Sequence, residues 1–378
     1  MKWLFYSVLT CLLISCNSKK TFELTSEINA VKKEYAPDKR VAIFNITAVT
    51  TSDGSLLLKG ETNLPKALKS LKSRFSSQKK LIDSVQILPA KDLKGFYFGV
   101  VNISVCNIRS KPAHSAELAT QALQGMPLKI LKKQEDWYYV QTPDNYLGWL
   151  DMGGLTLMDA TGFGAWEQRD KVMFIKDYGN VYELNTHVII SDAVIGNTFA
   201  VLSKTKEKFT VIFPDGRKGW IPATDALLYS DWLLNSRNDA THILASARSF
   251  MGRPYLWGGT SPKAMDCSGF TKMVYFLNGI ALSRDASQQV KDGEAIAFDA
   301  TLQQLQKGDL LFFGTKETAT KKERIWHVAI YIGDGEIIHA SGAIKIESLI
   351  PGRKNFAKKR LNTFIKARRI IGTVHTVK

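Results

Sequence analysis

The stretch YLWGGTSPKAMDCSGF, residues 255–270, sets one cysteine, Cys267, between a glycine-rich turn and an apolar run. Beyond it Phe270, Met273, Val274 and Leu277 recur at helical spacing, and Asn278-Gly279 closes the run. Cys267 therefore falls at or near a helix N-terminus. Unpaired backbone N–H groups there favour an anion, so the spacing predicts a thiol of lowered pKa, and the thiolate is the nucleophilic form. A lone cysteine is also a common inert core residue, so its partners decide the reading.

The partners are histidines. Six lie beyond the leader: His114, His187, His242, His327, His339 and His375. His327 opens the alternating run His327-Val328-Ala329-Ile330-Tyr331-Ile332, and His339 sits in Ile337-Ile338-His339-Ala340-Ser341, with Gly333-Asp334-Gly335 between the runs. That pattern predicts a β-hairpin. A two-residue Asp334-Gly335 loop would put the histidines on opposite faces. A three-residue Gly333-Asp334-Gly335 loop pairs position 327 with 341 and sets them on one face, diagonal neighbours about 7–8 Å apart at Cα. We expect the three-residue loop, because glycines flanking an aspartate admit left-handed backbone. His327 would then take the Cys267 proton and return one to a leaving amine, while His339 bonds its other ring nitrogen. One cysteine and two scattered histidines make a poor zinc signature, and neither metal nor cofactor is expected.

Outward from this region the chain is modular. Its 378 residues are long for a single core. Pro143-Asp144-Asn145-Tyr146-Leu147-Gly148-Trp149 returns 71 positions later as Pro214-Asp215-Gly216-Arg217-Lys218-Gly219-Trp220, each copy after an alternating strand. Pro-Asp supplies a turn, and Gly-Trp starts the returning strand with an aromatic that can fill a small barrel. The pattern resembles bacterial SH3-like domains. Upstream, Val41–Phe44 and Ser55–Leu58 read as strands joined through Asp53-Gly54, and Ala67, Leu68, Leu71 and Phe75 as one helix face. After Trp232 the sequence turns helical, with Ile243, Leu244, Ala247, Phe250 and Met251 sharing a face. Cys106, in Val105-Cys106-Asn107-Ile108, reads as a packed strand residue.

At the other end, Lys2 precedes an apolar run from Trp3 to Ile14, too short to span a bilayer as a mature helix. It ends in Leu13-Ile14-Ser15-Cys16, which resembles the lipobox of bacterial lipoprotein signal peptides; a plain secretory leader is the alternative. The lipobox reading makes Cys16 a lipidated membrane anchor and predicts an exported protein of the cell envelope, facing the periplasm. The expected boundaries are 1–16 leader, 17–39 tether, 40–95 small α/β module, 96–158 and 159–232 SH3-like domains, and 238–373 an α+β domain. The 51 basic residues outnumber 35 acidic ones. The basic stretches are scattered without interleaved aromatics, so no nucleic-acid partner is expected; anionic lipid or acidic wall peptides suit the charge better. A monomer is expected.

Four ordered segments carry a closer resemblance. Arg253-Pro254-Tyr255-Leu256-Trp257-Gly258-Gly259, Asp266-Cys267-Ser268-Gly269-Phe270, Gly308-Asp309-Leu310-Leu311-Phe312-Phe313 and His327-Val328-Ala329-Ile330-Tyr331-Ile332-Gly333 look like the successive motifs of NlpC-type cell-wall cysteine peptidases. The resemblance implies a papain-like catalytic domain with Cys267, His327 and His339 as catalytic residues, and adds the Tyr255 hydroxyl as support for the oxyanion. With two SH3-like domains ahead of it, the chain is similar to the γ-D-glutamyl-L-diamino acid endopeptidases. These cut muropeptides that keep a free N-terminal L-alanine. That similarity implies substrate contacts at Asp266, Ser268, Tyr146, Glu117, Trp257 and Ser287. Two competing readings remain: a hydrolase of intact cross-linked wall, and a non-catalytic wall-binding lipoprotein.

Overall fold

The computed structural model describes residues 24–76 and 80–373; Cys16 and the leader lie outside the described residues. Residues 24–35 are helical, with Leu24, Ile28 and Val31 forming an apolar stripe, and Val31 is fully buried. This corrects the expectation of a tether up to residue 39. A lysine-rich composition concealed apolar residues at helical spacing. The stripe packs on a three-stranded sheet of Phe44–Thr50, Leu56–Thr62 and Leu81–Ile87, together with the helix Pro65–Arg74. The first two strands are antiparallel and the third runs parallel to the second, reached through that crossover helix. Gly54 turns the hairpin at φ +79°.

Two seven-stranded antiparallel sheets follow, one built from strands between Phe98 and Met158, the other from strands between Lys171 and Leu228. The sequence repeat is a structural one. Asn145 and Gly216, equivalent positions, both take left-handed backbone, at φ +65° and +90°. The following glycines, Gly148 and Gly219, admit a neighbouring strand so closely that a Cβ would lie 2.5 Å from Ile108 and 2.6 Å from the Tyr182 carbonyl oxygen. Trp149 and Trp220 then pack against Tyr139 and Tyr182, at ring centroid distances of 4.9 and 4.8 Å. Cys106 lies in the first barrel's core, where burial pushes its thiol up to about 12.

The last unit is a six-stranded antiparallel sheet in the order Glu294–Ile296, Phe364–Arg369, Leu310–Thr315, Arg324–Gly333, Glu336–Ser341, Ala343–Ser348. The helices Ala240–Ser249 and Cys267–Phe276 pack on one face through Ile243, Ala247, Phe250, Phe270 and Val274 against Val328, Ile330 and Ile338. Asp239 caps the first helix, and Gly252, at φ +79°, follows its end. The chain is thus an α+β domain preceded by two strand-rich barrels and a small N-terminal α/β module. Among the described residues no helix is long and apolar enough to cross a membrane.

Candidate active site

Cys267 is the first residue of the helix Cys267–Phe276, and Asp266 is its N-cap, accepting the Gly269 N–H at 2.7 Å. The position matches the sequence expectation; the protonation does not. Cys267 is 6 % exposed, and burial, reinforced by the Asp266 carboxylate, pushes its thiol up to about 12. The Val328 and Ser268 N–H groups and Arg284 act the other way and are outweighed. A helix terminus supplies a partial charge, whereas removing a thiolate from water costs more. At rest the group is a thiol. It lies by the Val328 N–H, one residue from His327, and among the described residues no hydrogen bond joins it to the His327 ring.

The histidines share a face. His327 Nε2 lies 2.7 Å from His339 Nδ1, with ring planes near perpendicular. The loop closing the hairpin has two residues, Asp334 and Gly335, because Gly333 pairs with Glu336. This corrects the expected three-residue loop. A bulge between Tyr331 and Gly333 absorbs the difference, so Ile330 pairs with Ile338, and that register sets position 327 against 341. Gly333, Asp334 and Gly335 all have positive φ.

The next strand adds a residue that sequence reasoning missed. Glu347 Oε2 lies 2.9 Å from His339 Nε2, a contact bent away from ideal hydrogen-bond geometry. The His339 contact, aided by Lys345, holds the Glu347 carboxyl at about 2 against its partial burial. A carboxylate only accepts, so His339 carries its proton on Nε2 and offers Nδ1 as an acceptor. His327 must then donate from Nε2, which leaves its Nδ1 as the basic nitrogen. Burial, followed by Arg360, His339, Lys359 and Lys345, holds His327 well below its ordinary value. The resting pair is therefore neutral imidazole and neutral thiol.

Asp266 is enclosed. Arg284, with a side chain 1 % exposed, forks onto both carboxylate oxygens at 3.1 and 2.7 Å. Gly258 N–H, Gly269 N–H and the Ser268 hydroxyl donate to the same carboxylate, which makes five donors for about four lone-pair sites. Ser268 is buried in this network and also accepts from Arg284. Arg284 reaches Thr120 in the first barrel as well, bonding one domain to the other beneath the nucleophile. Tyr255 is half-buried and faces Cys267 and Asp266; burial and those two groups raise its pKa, so its hydroxyl stays a donor.

The remaining residues meet across the domain boundary. The Tyr146 hydroxyl donates to Asp285 Oδ2 at 3.0 Å, and the exposed Trp257 donates its indole N–H to Glu117 Oε1 at 2.7 Å. Ser287 accepts from Arg40 at 2.8 Å. Sequence reasoning gave no role to Arg284 or Asp285, whose partners in the barrel and the N-terminal module lie more than a hundred positions away. Among the described residues no group of three or more His, Cys, Asp or Glu side chains could hold a metal ion.

The NlpC/P60 family profile matches residues 252–365, and that of the bacterial dipeptidyl-peptidase SH3 domain matches residues 108–155. A γ-D-glutamyl-L-lysine dipeptidyl-peptidase of Bacillus cereus is 33 % identical over 249 residues, covering 62 % of this chain and 71 % of the relative. Dipeptidyl-peptidase 6 of Lysinibacillus sphaericus is 29 % identical over 257 residues, covering 64 % and 87 %. The crystal structure of an NlpC/P60 family protein from Bacillus cereus superposes at a TM-score of 0.59 and 27 % identity, covering 72 % of this chain and 99 % of that one. With the cysteine, the histidine pair and the SH3-like barrel already in position, these likenesses close the question of kinship: the chain belongs to the NlpC/P60 family and is a cysteine peptidase.

Proposed function

We propose that the enzyme hydrolyses the γ-D-glutamyl–L-diamino acid bond of peptidoglycan-derived peptides bearing a free N-terminal L-alanine. The observation that carries this reading is the reach of the first barrel into the catalytic domain. Tyr146 meets Asp285, and Glu117 meets Trp257, so the boundary between barrel and catalytic domain holds two carboxylates fixed by hydrogen bonds. Fixed carboxylates suit an ammonium better than an uncharged amide. In intact wall that alanine is an amide on muramic acid and carries no charge. Relatives bearing γ-D-glutamyl dipeptidyl-peptidase names support the same substrate class.

In the proposed reaction His327 Nδ1 takes the Cys267 proton as Sγ attacks the γ-carbonyl carbon of D-glutamate. Tyr255 donates to the developing oxyanion. The C–N bond breaks as the imidazolium returns its proton to the leaving amine of the diamino acid. Water then attacks the thioester, giving its proton to His327 and releasing the thiolate, which recovers a proton from His327. Substrate entry must first bring thiol and imidazole into hydrogen-bond contact, since active-site bonds often tighten only in the complex. The reading includes a lipid anchor at Cys16 and residence in the cell envelope, supported by the leader sequence, and a monomeric enzyme.

The test is mass analysis of products from L-Ala-γ-D-Glu-L-Lys and its diaminopimelate analogue, each with free and acetylated alanine. Release of L-Ala-D-Glu from the free peptides alone is expected, with Cys267→Ala inactive. Equal cleavage of the acetylated forms would point to intact wall instead.

A further inference from the structure

The N-terminal module has no catalytic constellation, yet one of its side chains enters the site. Arg40 Nη1 donates to Asp285 Oδ2 at 2.7 Å and to Ser287 Oγ at 2.8 Å. Its Nε and Nη2 fork onto Asp38 at 2.8 and 2.7 Å, and Asp38 in turn accepts from Gln288 Nε2 at 2.9 Å. The backbone is pinned too. Leu147 N–H donates to the Arg40 carbonyl at 2.8 Å, and Gln141 donates to the Val41 carbonyl at 3.0 Å. These two bonds hold Arg40 against the turn that presents Tyr146. Residues 38–41 lie outside both matched family segments, 108–155 and 252–365.

We infer that Arg40 is a specificity-positioning residue: it clamps Asp285 and Ser287 in the orientation that receives the charged amino end of the substrate. The inference rests on the proposed function and deepens it. Asp285 Oδ2 receives both the Tyr146 hydroxyl and Arg40, while the Asp285 backbone N–H donates to Gln288 Oε1 at the start of the short helix Ala286–Gln289. Its carboxylate is therefore held by two elements, the barrel turn and the N-terminal module. Arg40 sits between the carboxylates of Asp38 and Asp285, and exposed Lys39 and Lys291 line an open pocket beside it. A lysine at position 40 would keep the charge but could not fork onto Asp38 while holding Asp285 and Ser287.

The experiment is steady-state kinetics of the full chain on L-Ala-γ-D-Glu-L-Lys and its N-acetyl form. The wild type's preference between the two peptides tests the proposed function. The variants, read on whichever peptide the wild type cleaves, test Arg40. Arg40→Ala is expected to raise KM for the free-amine peptide about tenfold, the loss of a charge-assisted hydrogen bond, with kcat little changed. Arg40→Lys should not restore it. If Arg40→Ala does not fold, Asp38→Asn removes the fork and should raise KM in the same direction. An unchanged KM, a lowered KM, or a loss confined to kcat would each overturn the inference. A lowered KM would make Arg40 a competitor of the substrate cation.

Discussion

Replacing Asp266 with asparagine separates two roles that adjacency to the nucleophile leaves confounded. If the residue reads the substrate amine, the substitution should raise KM. The geometry gives it a structural task instead. Arg284 is 1 % exposed at the side chain, and both of its bonds to Asp266 are within 3.1 Å. Asparagine keeps one acceptor oxygen but turns an NH2 group toward the donors of Arg284 or Gly258. Breaking a buried pair by neutralising one partner costs about 3–5 kcal/mol, because the other charge stays buried and uncompensated. In a domain of this size that lowers the melting temperature by about 10 °C. Urea unfolding followed by tryptophan fluorescence, alongside kinetics on free and acetylated peptides, reads both quantities. The double variant Asp266→Asn/Arg284→Met should recover part of the loss, since it removes the stranded cation. Wild-type stability in Asp266→Asn, with KM raised only for the free-amine peptide, would refute the structural assignment and return the residue to the substrate.

Alkylation of the resting enzyme by iodoacetamide should be slow at neutral pH. A thiol at about 12 instead of 9 has a thousandfold smaller thiolate fraction, partly offset by its greater intrinsic nucleophilicity, so a rate about 10–100-fold below free cysteine is expected. The rate should climb through pH 9, and a plateau below pH 8 would mean a resting thiolate–imidazolium pair. Glu347→Gln should lower kcat by about a hundredfold or more at unchanged KM, because the histidine tautomers are no longer imposed. It should also shift the acid limb of kcat/KM to lower pH, since Lys345, Arg360 and Lys359 then bear on His327 without a compensating carboxylate. An unmoved limb would reduce Glu347 to a packing role. Gly148→Ala should destabilise the first barrel by about 1–3 kcal/mol in thermal unfolding, its new Cβ lying 2.5 Å from Ile108 and 3.0 Å from the Arg109 carbonyl; an unshifted transition would show that the strands yield freely.

What could be read from the sequence was whatever repeats a local pattern. The helix after Cys267, the two histidine strands and the paired barrel turns each follow a period of 3.6 or 2, or a glycine-marked turn, within a dozen or so residues. The hairpin shows where such reading ends. Counting loop residues gave the right strand register through the wrong loop, because a bulge at Tyr331–Gly333 compensates for the shorter turn. Glu347 was within reach: Gly342 turns the chain, and continuing the alternation through Ala343–Ser348 pairs His339 with Lys345 and leaves Glu347 diagonal to it. The thiol's protonation was not, because burial against strand Arg324–Gly333 and the charge of Asp266 raise its pKa, and neither is implied by a helix N-terminus.

The division has a functional side. The proposed chemistry is assembled within one domain, from Cys267 on a helix and His327, His339 and Glu347 on three consecutive strands. The features that would choose a substrate are bonds between units far apart in sequence: Tyr146 to Asp285 across 139 positions, Trp257 to Glu117 across 140, and Arg40 to Asp285 across 245. No local pattern encodes such a bond, since each partner is an ordinary surface residue until the other unit docks. It follows that substitutions confined to these contacts, which spare the Thr120–Arg284 bond beneath the nucleophile, should alter which peptides are accepted while leaving the rate of bond cleavage nearly constant.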